Sequence, residues 1–125
     1  MTTQGILWAV LQNPGPLAAI TPRYEMVQCH HITLQYGVER EPWQLWIGQE
    51  FAAIATAECW NEQVQALRVL LPATIPCINL HPHLTVSHRV DVEPKTANHM
   101  LVTQHTVRSI WLVLPVRIEF HMKAP

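Results

Sequence analysis

Two short stretches carry side chains suited to one reaction: His31-Ile32-Thr33-Leu34 and His83-Leu84-Thr85-Val86 both read histidine, apolar residue, threonine, apolar residue. In an extended strand successive side chains point to opposite faces, so a histidine and a threonine two residues apart share a face. His31, Thr33 and Gln35 then fall on one face, with Ile32, Leu34 and Tyr36 on the other; His83, Thr85 and Ser87 are likewise backed by Leu84 and Val86. Histidine gives or takes a proton near neutral pH, and threonine offers a hydroxyl donor. Two strands so equipped can converge on one tetrahedral anion, as cleavage of a phosphodiester requires. A single His-x-Thr is an ordinary pattern for a half-buried strand. Two copies with matched polar faces in a chain of 125 residues point to function.

The rest of the chain must supply strands and a core behind these motifs. Residues 5–12 read as a buried strand, ended by the turn chemistry of Asn13-Pro14-Gly15-Pro16, and a short helix fits residues 17–20. Arg23 and Tyr24 lie on the approach to the first motif strand, residues 30–36, which Gly37 closes. Residues 38–49 read as a loop with a short extended piece carrying Trp43 and Trp46. Residues 51–60 and 64–71 read as two strands connected by Asn61-Glu62-Gln63, and the composition of residues 62–71 suits a helix as well. Pro72 to Pro76 interrupts the chain before the second motif, and residues 93–102 read as a helix with Pro94 in its first turn. Residues 107–122 alternate as two short strands, or as one with a bulge at Pro115, and place Arg117, Glu119 and His121 on one face. This strand-rich inventory suits an α+β fold in which two antiparallel β lobes face a cleft, with a few short helices.

Bulk properties narrow the classes. The length suits a single domain spanning residues 1–125. Its apolar content is ordinary and no apolar run is long enough for a membrane span, so a protein without a membrane partner is expected. Met1 to Gly5 carries no basic stretch of the kind that opens a secretory signal, and three cysteines without CxxC spacing suit a reducing, cytoplasmic setting. A formal net charge of -1 with histidines neutral lacks the footprint of a protein that tracks long duplex nucleic acid. A strand end or a small nucleotide needs only local donors. The oligomeric state is left open.

Several further residues carry a resemblance. Residues 60–72, Cys77-Ile78-Asn79, Pro82-His83-Leu84-Thr85-Val86, and Pro94 with Asn98 resemble the cyclic phosphodiesterase domain at the C-terminus of fungal and plant tRNA ligases, a branch of the two-histidine (2H) phosphoesterase superfamily. The similarity runs from about Leu7 to Leu101 and is strongest after Trp60; this chain departs from the family in carrying no kinase or ligase domain and in being short before His31. The resemblance implies a bilobal α+β fold with the two motifs on its central strands, and a hairpin rather than a helix for residues 62–71. It also implies hydrolysis of 2',3'-cyclic phosphates at RNA ends or on nucleotides, with His31 and His83 as acid and base, Thr33 and Thr85 as phosphate ligands, and no metal or cofactor. Arg68, Tyr24, His81 and Trp43 are further candidates for substrate contact.

Other histidines weigh on the alternatives. On a regular strand His30 points away from His31, and His88 points away from Thr85 and Ser87. His81 shares the face of His83 but precedes Pro82, where the path can kink, and is read as a rim residue. His81, His83 and His88 with His30 or His31 are zinc or iron ligands by type, though no carboxylate sits at a familiar spacing. His81-Pro82-His83-Leu84-Thr85 is also similar to the motif of histidine-triad nucleotide hydrolases, with threonine in place of the third histidine. The remaining readings are a phosphodiesterase for cyclic oligonucleotide signals or 2'-5' linkages, and a noncatalytic nucleotide-binding module.

Overall fold

The computed structural model describes residues 4–123, so Met1 to Thr3, part of the stretch read for a signal, lie outside the described residues. Seven antiparallel strands account for most of it: β1 (Gln4–Leu11), β2 (Met26–Val27), β3 (His31–Glu39), β4 (Glu50–Trp60), β5 (Val64–Leu70), β6 (His83–His88) and β7 (Thr106–Met122). A single α-helix, α1 (Thr96–Leu101), and two short 3-10 turns at Gly15–Ala19 and Glu41–Trp43 complete the described chain. No described helix is long and apolar enough to cross a membrane.

The strands belong to one sheet ordered β2-β6-β3-β1-β7-β4-β5, and β6 also pairs with β5, so six strands close into a ring. Closure leaves an interior that side chains must fill. Each of the six supplies residues to it: Leu7 and Ala9, Ile32 and Leu34, Ala53 and Ala55, Leu67 and Val69, Leu84 and Val86, and Leu114, Val116 and Ile118. A second apolar cluster lies where α1, through Ala97, Met100 and Leu101, docks on Ala57, Cys59, Val64 and Ala66 of the β4–β5 hairpin. That hairpin is the expected one. Asn61 Oδ1 accepts the backbone N–H groups of Gln63 and Val64 at 2.9 and 3.0 Å, which closes the three-residue turn and settles residues 62–71 against a helix.

Four departures from regular alternation arise from register. β7 is one strand of 17 residues, and its irregularity against β4 falls between the Ala55–Leu112 and Ala57–Ser109 pairs, not at Pro115. The Pro115 carbonyl accepts from Gln12 N, just past the Leu11–Val116 pair that ends the β1 ladder. In an antiparallel strand a residue's nitrogen and oxygen face the same neighbour, so the missing proline N–H costs no ladder bond. β3 does not stop at Gly37. It continues to Glu39 through Gly37 at φ 69, a backbone conformation glycine adopts freely, where the β1 register shifts.

A second shift, between the Leu7–Gln35 and Trp8–Thr33 pairs, inserts one extra residue into β3 and reverses the facing of the residues beyond it. Tyr36 is therefore not with Ile32 and Leu34 in the core; it is exposed. On β6 the shift between the Gln65–Ser87 and Ala66–Thr85 pairs does the same to Ser87. Its hydroxyl donates to Gln65 Oε1 at 2.6 Å and accepts the backbone N–H groups of Arg23 and Tyr24. Beside it Glu58, only 2 % exposed, is held by Arg23 Nε and Gln65 Nε2 at one oxygen and by Arg108 at the other. Burial by itself would raise the Glu58 pKa, yet hydrogen bonds from Arg108, Gln65 and Arg23 outweigh it and hold the carboxyl below the usual range. Arg23 also stacks on Trp60, 3.6 Å from the ring centroid.

Candidate active site

Ile32 and Leu84 are Cα partners across the β3–β6 pairing, and both are fully buried in the ring interior. Alternation then turns the residues on either side of each away from the core, onto one surface. That pair is the one residue pair of the β3–β6 ladder, with His31 and Thr33 flanking it on β3 and His83 and Thr85 flanking it on β6. All four line one cleft of about 620 Å³. Its walls come from Gln28, His30, Tyr36 and Ile6, from Ile78 and Asn79 of the segment before β6, and from Pro94, Lys95 and Asn98 at the start of α1.

His30 belongs to the same face as His31, against the expectation from a regular strand. The backbone explains it. Gln28 N and Cys29 N bond to the carbonyls of Val86 and Thr85, prolonging the β2 pairing along the edge of β6, and the next pair on that edge is Ile32 with Leu84. His30 and His31 are thus extra residues of a bulge, entered through Cys29 at φ 50. Bulges re-aim side chains, and here two imidazoles meet with their Nδ1 atoms 3.1 Å apart. Trp8 packs against both, with ring centroids 4.1 Å from His31 and 5.2 Å from His30, and stacks on His121 at 4.5 Å.

The two motif histidines differ in their partners. His83 is 9 % exposed, and its Nδ1 donates to the His81 carbonyl at 2.8 Å, leaving Nε2 as its reactive nitrogen. Burial lowers the His83 pKa, with the His81 carbonyl opposing that shift. Burial also lowers that of His31, and the neighbouring His30, His83 and His121 add to the effect, so it is pushed down to about 4. Both rings are therefore poised as neutral bases until an anion enters. Cys29 and Cys77 are near but burial raises their thiols, which keeps them protonated and poorly nucleophilic.

Of the other candidates, none lines the cleft. Arg68 is the cross-strand partner of His83, but its Nε is buried without a hydrogen-bond partner. Tyr24 donates its hydroxyl to the Asn61 carbonyl, Trp43 packs on the main core, and His81 contributes its carbonyl to His83. Ser87 is drawn into the Glu58 network. His88 is held by the Arg89 carbonyl at Nδ1 and by Gln28 Nε2 at its other nitrogen. No three His, Cys, Asp or Glu side chains among the described residues converge as a metal-ligand set.

Sequence reasoning missed Gln28, His30, Tyr36 and Lys95 as lining residues. Tyr36 accepts Lys123 Nζ at its hydroxyl, 2.7 Å away, and that hydrogen bond and charge lower its pKa. Only the adjacency of His30 to His31 was a signal, and alternation argued against it. No protein-family model matches this chain, and neither a curated protein nor a solved structure matches it.

Proposed function

We propose that this protein is a metal-independent phosphodiesterase of the two-histidine type, acting on 2',3'-cyclic phosphates at RNA ends or on nucleotides. The observation that carries it is the Ile32–Leu84 pair, which turns His31, Thr33, His83 and Thr85 onto one cleft. The residues behind the resemblance add support, since Ile78, Asn79, Pro94 and Asn98 line that same cleft. The bilobal α+β phosphoesterase fold is part of the same reading, with the two motifs on β3 and β6, neighbours in the ring. The cleft volume suits a nucleotide or a short strand end better than a long duplex.

In the reaction water attacks phosphorus in line while one histidine takes its proton. The opposite P–O bond to ribose breaks, and the other histidine protonates the departing oxygen. Atoms balance as a phosphomonoester and a free ribose hydroxyl. Thr33 and Thr85 donate to the non-bridging oxygens, where charge grows. The entering phosphodiester anion favours the charged imidazole that burial disfavours, so substrate itself supplies the field that lets one ring hold a proton.

Product analysis on nucleoside 2',3'-cyclic monophosphates and a cyclic-phosphate-ended RNA, with EDTA present, tests the proposal. Turnover that persists in EDTA and disappears in His31→Ala and His83→Ala is the expected result. Turnover retained by either variant refutes the two-histidine mechanism, and turnover only on cyclic oligonucleotides or 2'-5' linkages moves the assignment to those substrates.

A further inference from the structure

We propose that His30 is a positioning residue for His31: one hydrogen shared between their Nδ1 atoms decides which nitrogen of His31 carries a lone pair into the cleft, making His31 the general base and leaving His83 as the general acid. The catalytic half of this statement rests on the phosphodiesterase reading; the positioning half rests on the 3.1 Å contact alone.

The contrast between the two histidines carries the inference. The partner of His83 Nδ1 is a carbonyl, which can only accept, so that nitrogen always bears hydrogen and Nε2 is free to hold or release a proton. The partner of His31 Nδ1 is another imidazole, which can accept or donate. While His30 is neutral and accepts, His31 keeps its hydrogen on Nδ1 and presents a lone pair at Nε2, the form that deprotonates water. Once His30 is protonated on both nitrogens it must donate, and His31 then carries its hydrogen on Nε2 and cannot act as a base. Two imidazolium rings would set N–H against N–H, so the pair holds one added proton at most.

Among the described residues neither imidazole has another side-chain hydrogen-bond partner. Around the pair stand Trp8 from β1, His83 from β6 and His121 from β7, while Lys95, the residue before α1, and Tyr36, bonded to Lys123, line the same cleft. No carboxylate lines the cleft among the described residues. His30 therefore occupies the place that a carboxylate or carbonyl fills behind other acid/base histidines, with the difference that it can itself be protonated. The bulge through Cys29 is what brings it there.

The test is a nitrogen-15 NMR titration of the imidazoles in the full chain, for the wild type, His30→Gln and His30→Phe. Glutamine keeps an accepting oxygen that does not titrate, whereas phenylalanine keeps only the ring. The wild type should show His31 with hydrogen on Nδ1 at neutral pH, shifting to Nε2 on acidification. His30→Gln should hold the Nδ1 form through the same range, and His30→Phe should show no fixed tautomer. In turnover of a nucleoside 2',3'-cyclic phosphate, His30→Phe should lower kcat about 10- to 100-fold with little change in KM, and His30→Gln should move the acid limb of kcat to lower pH. Superimposable His31 nitrogen shifts in all three proteins would overturn the proposal. Absence of turnover in the wild type refutes the 2',3'-cyclic phosphate assignment and leaves the nitrogen-shift result to decide the role of His30.

Discussion

Acidification from pH 8 to pH 5 is expected to cost the folded protein about 1–2 kcal/mol through His31 alone. The unfolded ring titrates near the ordinary histidine value of about 6.5, whereas in the folded protein burial and three neighbouring histidines push it down to about 4. At pH 5 the unfolded chain therefore holds a proton at this site that the folded chain does not. Stability is fully present above pH 6.5 and is lost as pH falls toward 4. Integrated to pH 5, the difference is about 2 kcal/mol, and the partial solvent access of His31 trims it toward the lower half of the range. Urea unfolding of the wild type and His31→Gln at both pH values isolates the effect, because the variant lacks the titrating ring and should lose correspondingly less. With a urea slope of about 1.5 kcal/mol/M for a domain of this size, the two midpoints should move by about 1 M relative to one another. A wild-type-to-variant difference that is the same at pH 8 and pH 5 would refute a depressed His31 and the effect assigned to its burial and neighbouring histidines.

Other outcomes rest on the same geometry. Binding of inorganic phosphate should be accompanied by proton uptake near neutral pH, since both motif histidines are neutral before it enters; calorimetry in two buffers of different ionisation enthalpy reads this directly. Thr33→Val and Thr85→Val should each lower kcat about 100-fold while leaving the unfolding midpoint nearly in place, as expected for donors that act on developing charge. Glu58→Gln should destabilise the protein by about 3 kcal/mol in urea unfolding, because it leaves Arg23 and Arg108 facing a neutral, buried amide.

Much of the chain could be read in order. The opening strand, the two motif strands and the short helix near residue 96 follow from apolar alternation, turn residues and a proline at a helix start, which act over a few residues, whereas the β4–β5 hairpin followed mainly from the family resemblance because the composition of residues 62–71 suits a helix as well. His31, Thr33, His83 and Thr85 were legible for the same reason: each pair is separated by one apolar residue that the core demands. Ser87, Tyr36 and His30 were misread together, and always by alternation. Each lies beyond or within a bulge, and one inserted residue inverts every facing past it.

The sequence by itself therefore determined which residues could perform acid/base chemistry on a phosphate and which apolar neighbours would anchor them. Tertiary structure alone decided that the two motifs pair at Ile32 and Leu84, that β6 also joins β5 to close the ring, and that His30 stands behind His31. The motif pairing depends on register between strands some fifty residues apart, and the closure on the register of β6 against β5. A local pattern sets which face a residue prefers, but only the partner strand sets where an extra residue must be accommodated, and that choice placed the histidines of this cleft.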